Sequence, residues 1–190
     1  MSNAIEIEAK ALVSQEEYRA LCKAFPNCER YRQTNYYIDS EDRVLLKEGI
    51  ALRIREKDGV YELTLKTPLS QGLLEKTNNI TMNQFAMLRD FEEFPDADLK
   101  RFLIMLDIDV SSLKILCSMT TERIDVPYKG GLLSLDRNSY NGVIDFEIEF
   151  EYNNMAEAEA TLLELLKENN VKAPLSSASK FHRAMASLKK

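Results

Sequence analysis

The sequence predicts an α+β fold: about eight antiparallel strands curled into a barrel with a polar, charged interior, and helices packed outside. Three observations lead there. The strand-like runs alternate apolar and charged residues with a period of two. Some of the charged faces carry a single sign, with Arg53 and Arg55 on one run and Asp145, Glu147, Glu149 and Glu151 on another. The helical segments carry apolar stripes, which need an apolar sheet face to cover.

The elements follow in order. "IEIEAK" is the first strand, with Glu6, Glu8 and Lys10 on one face and Ile5, Ile7 and Ala9 on the other. "SQEEYRALCKAF" is a helix with a cap signal at Ser14, stopped by Pro26. "RYRQTNYYIDS" is a Tyr- and Thr-rich strand that runs into turn material around Ser40, Glu41 and Asp42. "GIALRIREKDGVYELTLKTP" is a hairpin whose turn holds Asp58-Gly59, and "GLLEKTNNIT" is a fifth strand. Two helices follow, "NQFAMLRDF" and "ADLKRFLIMLDID", separated at Pro95. Three strands come next, "KILCSMTTERIDVPY", "GLLSLDRNSY" and "GVIDFEIEFEY", with turns at Gly130-Gly131 and Asn141-Gly142. The chain closes on two helices, "NMAEAEATLLELLKENN" and "SSASKFHRAMASL", giving about five helices in all.

Any one of these strands, taken alone, reads as part of a sheet with one wet face. The set reads differently. Four carboxylates at period two repel one another unless cations stand among them, and paired arginines need anions. With the helices covering the apolar faces, the charged faces turn toward each other. A barrel of this size holds one small ligand, and its charges are tolerable where the lumen is wet and they pair with one another or with bound ions. Arginine forks suit phosphate oxygens, and clustered carboxylates without His or Cys suit Mg²⁺ or Mn²⁺.

Composition narrows the field further. Lys and Arg number 25 against 31 Asp and Glu, a net charge of −6 that gives no bias toward nucleic acid or an anionic membrane. No apolar run approaches the roughly 20 residues of a membrane span, and the first residues are too polar for a signal peptide. The three cysteines match no zinc spacing and fit a reducing cytoplasm. His182 is the single histidine, which leaves little room for His-based metal or nucleophile chemistry. The expectation is a cytoplasmic protein, monomer or homodimer.

The order of these segments resembles the CYTH superfamily, the triphosphate tunnel metalloenzymes, whose name joins class IV adenylate cyclase with thiamine triphosphatase. "EIEAK" fits the Glu-x-Glu-x-Lys signature, "YYIDS" the Tyr-aromatic-Asp segment and "ALRIRE" the Arg-x-Arg strand. "ELTLK" resembles the strand ending in a lysine, "LEKTNNI" the acidic segment after it, and "TERIDV", "LSLDRNSYNG" and "DFEIEFE" the later strands. "SASKFHRA" resembles the helix that carries a phosphate-facing lysine. The match covers nearly all of residues 1–190 as a single CYTH domain, like the small bacterial members of the family.

The resemblance implies an eight-stranded tunnel. Lys10, Arg53, Arg55, Lys66, Arg123 and Lys180 would bind a triphosphate. Glu6, Glu8, Glu147 and Glu149 would hold one or two divalent ions, Mg²⁺ or Mn²⁺, with Asp136 and Glu75 as further acids. The late pair has two possible registers, Glu147/Glu149 or Glu149/Glu151. Lys10 paired with Tyr37, or with Tyr36 as the fallback, would activate the attacking water. The expected activity is metal-dependent hydrolysis of inorganic tripolyphosphate, thiamine triphosphate or a nucleoside triphosphate, and the absence of Trp tilts this toward the inorganic substrate. The alternatives are a class IV-type adenylate cyclase and a non-catalytic polyphosphate or nucleotide binder.

Overall fold

The structure, a computed structural model, describes residues 2–70 and 72–188. In chain order its elements are β1 (Ser2–Glu6), β2 (Glu8–Val13), α1 (Gln15–Ala24), β3 (Arg30–Asp39), α2 (Val44–Lys47), β4 (Ala51–Lys57), β5 (Val60–Pro68) and β6 (Leu73–Ile80). There follow α3 (Met82–Phe91), α4 (Asp98–Met105), a 3-10 turn (Val110–Ser112), β7 (Lys114–Tyr128), β8 (Gly131–Tyr140), β9 (Val143–Glu151), α5 (Met155–Glu168) and α6 (Lys180–Ala186).

All the strand pairings are antiparallel, in the order β1-β6-β5-β4-β3-β7-β8-β9-β2. The eight expected strands are all present. The ninth segment arises because the first strand is interrupted at Ile7. Before the break it pairs with β6, where Ala4 stands opposite Glu75. After the break it pairs with β9, where Lys10 stands opposite Glu149. One strand therefore joins both edges of the sheet, and the curled sheet returns on itself as a tunnel. At the break the Ile7 carbonyl accepts a hydrogen bond from the Tyr152 amide at 3.0 Å. The turn before β6 comes so close that a Cβ on Gly72 would lie 2.4 Å from the Glu6 carbonyl oxygen, and Gly72 also has a φ of +75°.

The helix starts are written locally. Ser14 caps α1 in a reciprocal capping box with Glu17, and Thr81 does the same for α3 with Gln84. The four-residue α2 was not expected, because four residues show no periodicity. It is held from outside itself: buried Asp39 at the end of β3 accepts from the amides of Leu45 at 2.9 Å and Leu46 at 3.0 Å.

The apolar strand faces are covered as the alternation requires. One outer core sets Ala9, Ala11, Phe146, Ile148 and Phe150 against Tyr18 and Leu21 of α1 and Leu162 and Leu166 of α5. A second sets Leu52, Ile54, Leu63 and Leu65 against Phe85 and Leu88 of α3 and Leu99 and Leu103 of α4. The helix α6 departs from the expected outside packing. Its Phe181, Ala184 and Met185 pack on Tyr37, Cys117, Met119 and Tyr140. Tyr37, Met119 and Tyr140 share strand faces with the inward charged residues, so α6 lies against the lumen side rather than the outer wall. No helix among the described residues is long and apolar enough to cross a membrane.

Candidate active site in the charged tunnel

Inside the tunnel lies a cavity of about 210 Å³. All six cations that the resemblance implies line it: Lys10, Arg53, Arg55, Lys66, Arg123 and Lys180. So do the acids Glu6, Glu8, Glu149 and Glu151. Six strands deliver these groups by the same period-two rule, and α6 adds Lys180 from its first residue.

The cations divide into two kinds. Lys66 bonds to Glu6 and lies 3.2 Å from Glu75, while Lys10 bonds to Glu8. Arg123 takes both oxygens of Asp136 at 2.7 and 2.6 Å and reaches Glu149 at 2.7 Å. Lys180 sits among Asp136, Glu147 and Glu149 at 2.8, 2.5 and 2.5 Å. Arg53 and Arg55 have no such company. The Arg53 Nε is buried without a hydrogen-bond partner, and the Arg55 Nε donates only to the neutral amide oxygen of Asn35 at 3.1 Å. Burial, then the charges of Arg53 and Arg123, push the Arg55 guanidinium down to about 10. The β4 wall is thus positive, and among the described residues its two guanidinium groups make no ion pair with a carboxylate.

The acids also divide. Oxygen atoms of Asp136, Glu147 and Glu149 lie within 4.8 Å of one another, a buried cluster that could hold a metal ion. Cations already fill it. Lys180 stands at its centre, and both Glu147 oxygens accept from Arg183 at 2.9 Å. Glu149 is held well below the carboxylate range: burial alone would raise it, but Lys180, Arg123 and Lys10 overcome that. Glu8 and Glu151 shift the other way. Burial raises Glu8, with the charges of Glu149 and Glu6 adding to it against Lys10. Burial and the charge of Glu6 raise Glu151. These two face each other across β2 and β9, and the Lys10 ammonium on Glu8 does not offset the burial and like charge around it. An all-carboxylate set in that condition fits a hard divalent ion.

Asp136, Glu147 and Glu75 stand outside the cavity lining, as counter-ions to Arg123, Lys180 and Lys66. The burial that would raise Glu75 is outweighed by Lys66 and Arg53, which hold it low. The expected Lys10–Tyr37 pair is not made. Both residues line the cavity, but the Tyr37 hydroxyl turns to the Met119 sulfur at 3.9 Å, and the Lys10 ammonium goes to Glu8. Burial pushes the Tyr37 phenol up to about 12, despite Arg53 and Lys180. Tyr36 lies on the opposite strand face, its ring against Phe85 in the outer core.

Two participants were missed in the sequence. Arg183 binds Asp145 and Glu147, and Asn35 receives Arg55. The first had a signal: Lys180 and Arg183 are three apart, so they share a helix face. Asn35 had only its place on β3 between Gln33 and Tyr37. His182 is exposed and borders the cavity rim.

The comparisons with known proteins agree with this geometry. The CYTH domain pattern matches residues 4–185. The chain is 34% identical over 175 residues to YjbK of Bacillus subtilis (strain 168), whose name provisionally calls it a triphosphatase, and the match covers 90% of each chain. A crystal structure from Bacillus halodurans, provisionally called an adenylate cyclase, is 34% identical with a TM-score of 0.89 and covers 96% of this chain and 98% of its own. HpAC1 from Hippeastrum, described as having a dominant triphosphatase activity, shares the fold with a TM-score of 0.78 at 23% identity, over 96% of both chains. A tunnel that carries these charges in this order, matched along nearly its whole length, places the chain in the CYTH domain family.

Proposed function

We propose that this protein is a metal-dependent triphosphatase that hydrolyses a phosphoanhydride bond of a small triphosphate bound in the tunnel. The observation that carries the reading is the positive wall. Arg53 and Arg55 stand half-buried side by side without an ion-paired carboxylate among the described residues, in a cavity bordered by four further cations. Unpaired guanidinium groups drawn partly out of water are costly unless an anion arrives, and a polyphosphate chain offers oxygens along its length. The 34% identity to YjbK supports the same activity.

Residue roles follow from these positions. Arg53 and Arg55 bind the phosphate oxygens, with Lys66, Arg123, Lys10 and Lys180 completing the cradle. Phosphoryl transfer asks the protein mainly for positioning and for neutralisation of charge on the non-bridging oxygens, which fixed guanidinium groups supply without rearrangement. A hard divalent ion, Mg²⁺ or Mn²⁺, would withdraw charge from the phosphates and help ionise a water when bound. Glu6, Glu8, Glu149 and Glu151 are the residues that would hold it, since they face the cavity while Glu147 is spent on Arg183 and Lys180. Of the two registers for the late acidic pair, we therefore favour Glu149/Glu151. Lys10, bonded to Glu8 at the cavity wall, orients that carboxylate, and Tyr37 acts as packing rather than as a base. Asp136 and Glu75 keep Arg123 and Lys66 aimed inward. Three free thiols suit a reducing cytoplasm.

A phosphate-release screen tests the reading, using tripolyphosphate, thiamine triphosphate and ATP with Mg²⁺ or Mn²⁺. Release from tripolyphosphate that is lost in the Glu6→Gln/Glu8→Gln protein is the expected result. Cyclic AMP from ATP would instead make it a cyclase, and tight binding of tripolyphosphate without turnover would make it a binder.

A further inference from the structure

We propose that Arg183 is a positioning residue that latches α6 to β9, so that Lys180 projects into the tunnel and Glu147 is withdrawn from ligand binding. This rests on the triphosphate reading for its consequence, though not for its geometry. The Arg183 Nε donates to Asp145 at 2.9 Å, and its Nη1 and Nη2 donate to the two oxygens of Glu147, each at 2.9 Å. Nη1 also donates to the Ala178 carbonyl at 2.8 Å. One guanidinium thus ties the entrance of the helix, two residues before Lys180, to the inward face of a strand.

The anchor is itself held. Asp145 accepts from the Tyr140 hydroxyl at 2.6 Å and from the Asn138 amide at 2.9 Å. A seven-residue helix has little stability of its own and depends on tertiary contacts. Phe181, Ala184 and Met185 supply apolar contact, which is non-directional and leaves the rotation of the helix loosely set. The planar fork of Arg183 is directional and sets that rotation. Lys180, three residues earlier on the same face, then reaches Asp136, Glu147 and Glu149 together. Among the described residues no other side chain engages both oxygens of Glu147.

Tripolyphosphate binding measured by calorimetry without divalent metal tests this, on the wild type, Arg183→Gln, Lys180→Gln and the double variant. Hydrogen exchange of residues 180–186 is followed in parallel. Arg183→Gln is expected to weaken binding about tenfold and to speed amide exchange across α6, and Lys180→Gln to weaken binding by a similar factor. The double variant should be no weaker than Lys180→Gln alone, because Arg183 acts through Lys180. Multiplying losses, or wild-type affinity in Arg183→Gln, would overturn the proposal. Should Arg183→Gln not fold, Arg183→Lys keeps the charge without the fork: an intermediate loss supports the latch and unchanged affinity sinks it. If the wild type fails to bind tripolyphosphate, the triphosphate reading falls, and exchange in α6 decides the latch: faster exchange in Arg183→Gln or Arg183→Lys keeps it, and unchanged exchange rejects it.

Discussion

Arg123 and Asp136 stand directly opposite each other on β7 and β8, joined through both carboxylate oxygens at 2.7 and 2.6 Å. Asp136 is fully buried, and Lys180 leans on the same carboxylate at 2.8 Å. Removing one member of a buried ion pair leaves the other uncompensated, at a cost of about 3–5 kcal/mol. Asp136→Ala should lose that much stability in urea unfolding. A loss under about 1 kcal/mol would mean that the remaining acids re-pair with Arg123.

Arg53 predicts the opposite balance. Its Nε has no partner, so its charge is a liability until an anion binds. Arg53→Met should leave the stability of the empty protein unchanged or higher. Tripolyphosphate affinity should fall by about 10- to 100-fold, the range of a charge-assisted hydrogen bond. Loss of stability together with full affinity would contradict the assignment.

Tyr37 predicts little effect. With its phenol at about 12 and its hydroxyl facing a sulfur, it is neutral and turned from the wall acids at pH 7. Tyr37→Phe should change kcat less than about threefold, whereas loss of a working general base costs about 10²–10⁴-fold. Steady-state rates with tripolyphosphate separate the two.

Asp39 supports the tunnel mouth from behind. Its carboxylate receives the amides of Ser40, Leu45 and Leu46, and Leu46 borders the cavity. Asp39→Ala strands these donors, each costing about 1–3 kcal/mol if left unsatisfied. Thermal melting should show a drop well beyond that of a surface substitution.

Glu17 gives a pH test away from the tunnel. The Ser14 amide and hydroxyl, with the Lys172 amide, hold its carboxyl below the usual range. A depressed folded value means the stabilisation is complete above the unfolded pKa of about 4.3 and is lost as pH falls through the folded one. The advantage in Tm of the wild type over Glu17→Gln should be present at pH 7 and shrink in acid. A constant difference would show that the charge plays no part.

How far the sequence could be read follows from what each residue needs. The inward direction of Glu6, Arg53, Lys66 and Glu149 was legible because period two is a property of any strand, and single-sign faces need partners across a lumen. The place of Lys180 at the cavity was legible from the family resemblance, but its partners were not. Which acid a lysine meets depends on how α6 docks, and Phe181 and Met185 settle that through non-local contacts. The break at Ile7 leaves no mark in the alternation of "IEIEAK", since the same pattern serves an unbroken strand. Tyr37 looked available from its neighbours in sequence, and only the approach of Met119 from β7 shows where its hydroxyl goes.

The interruption at Ile7 has a consequence for assembly. The interrupted strand of residues 2–13 is paired on one side with residues 73–77 and on the other with residues 146–151. It cannot complete its pairing until most of the chain has been synthesised, and such remote contacts are slow to form. The ring is therefore sealed by two strands more than a hundred residues apart, and refolding should end with protection of the amides of Ala9 and Ala11.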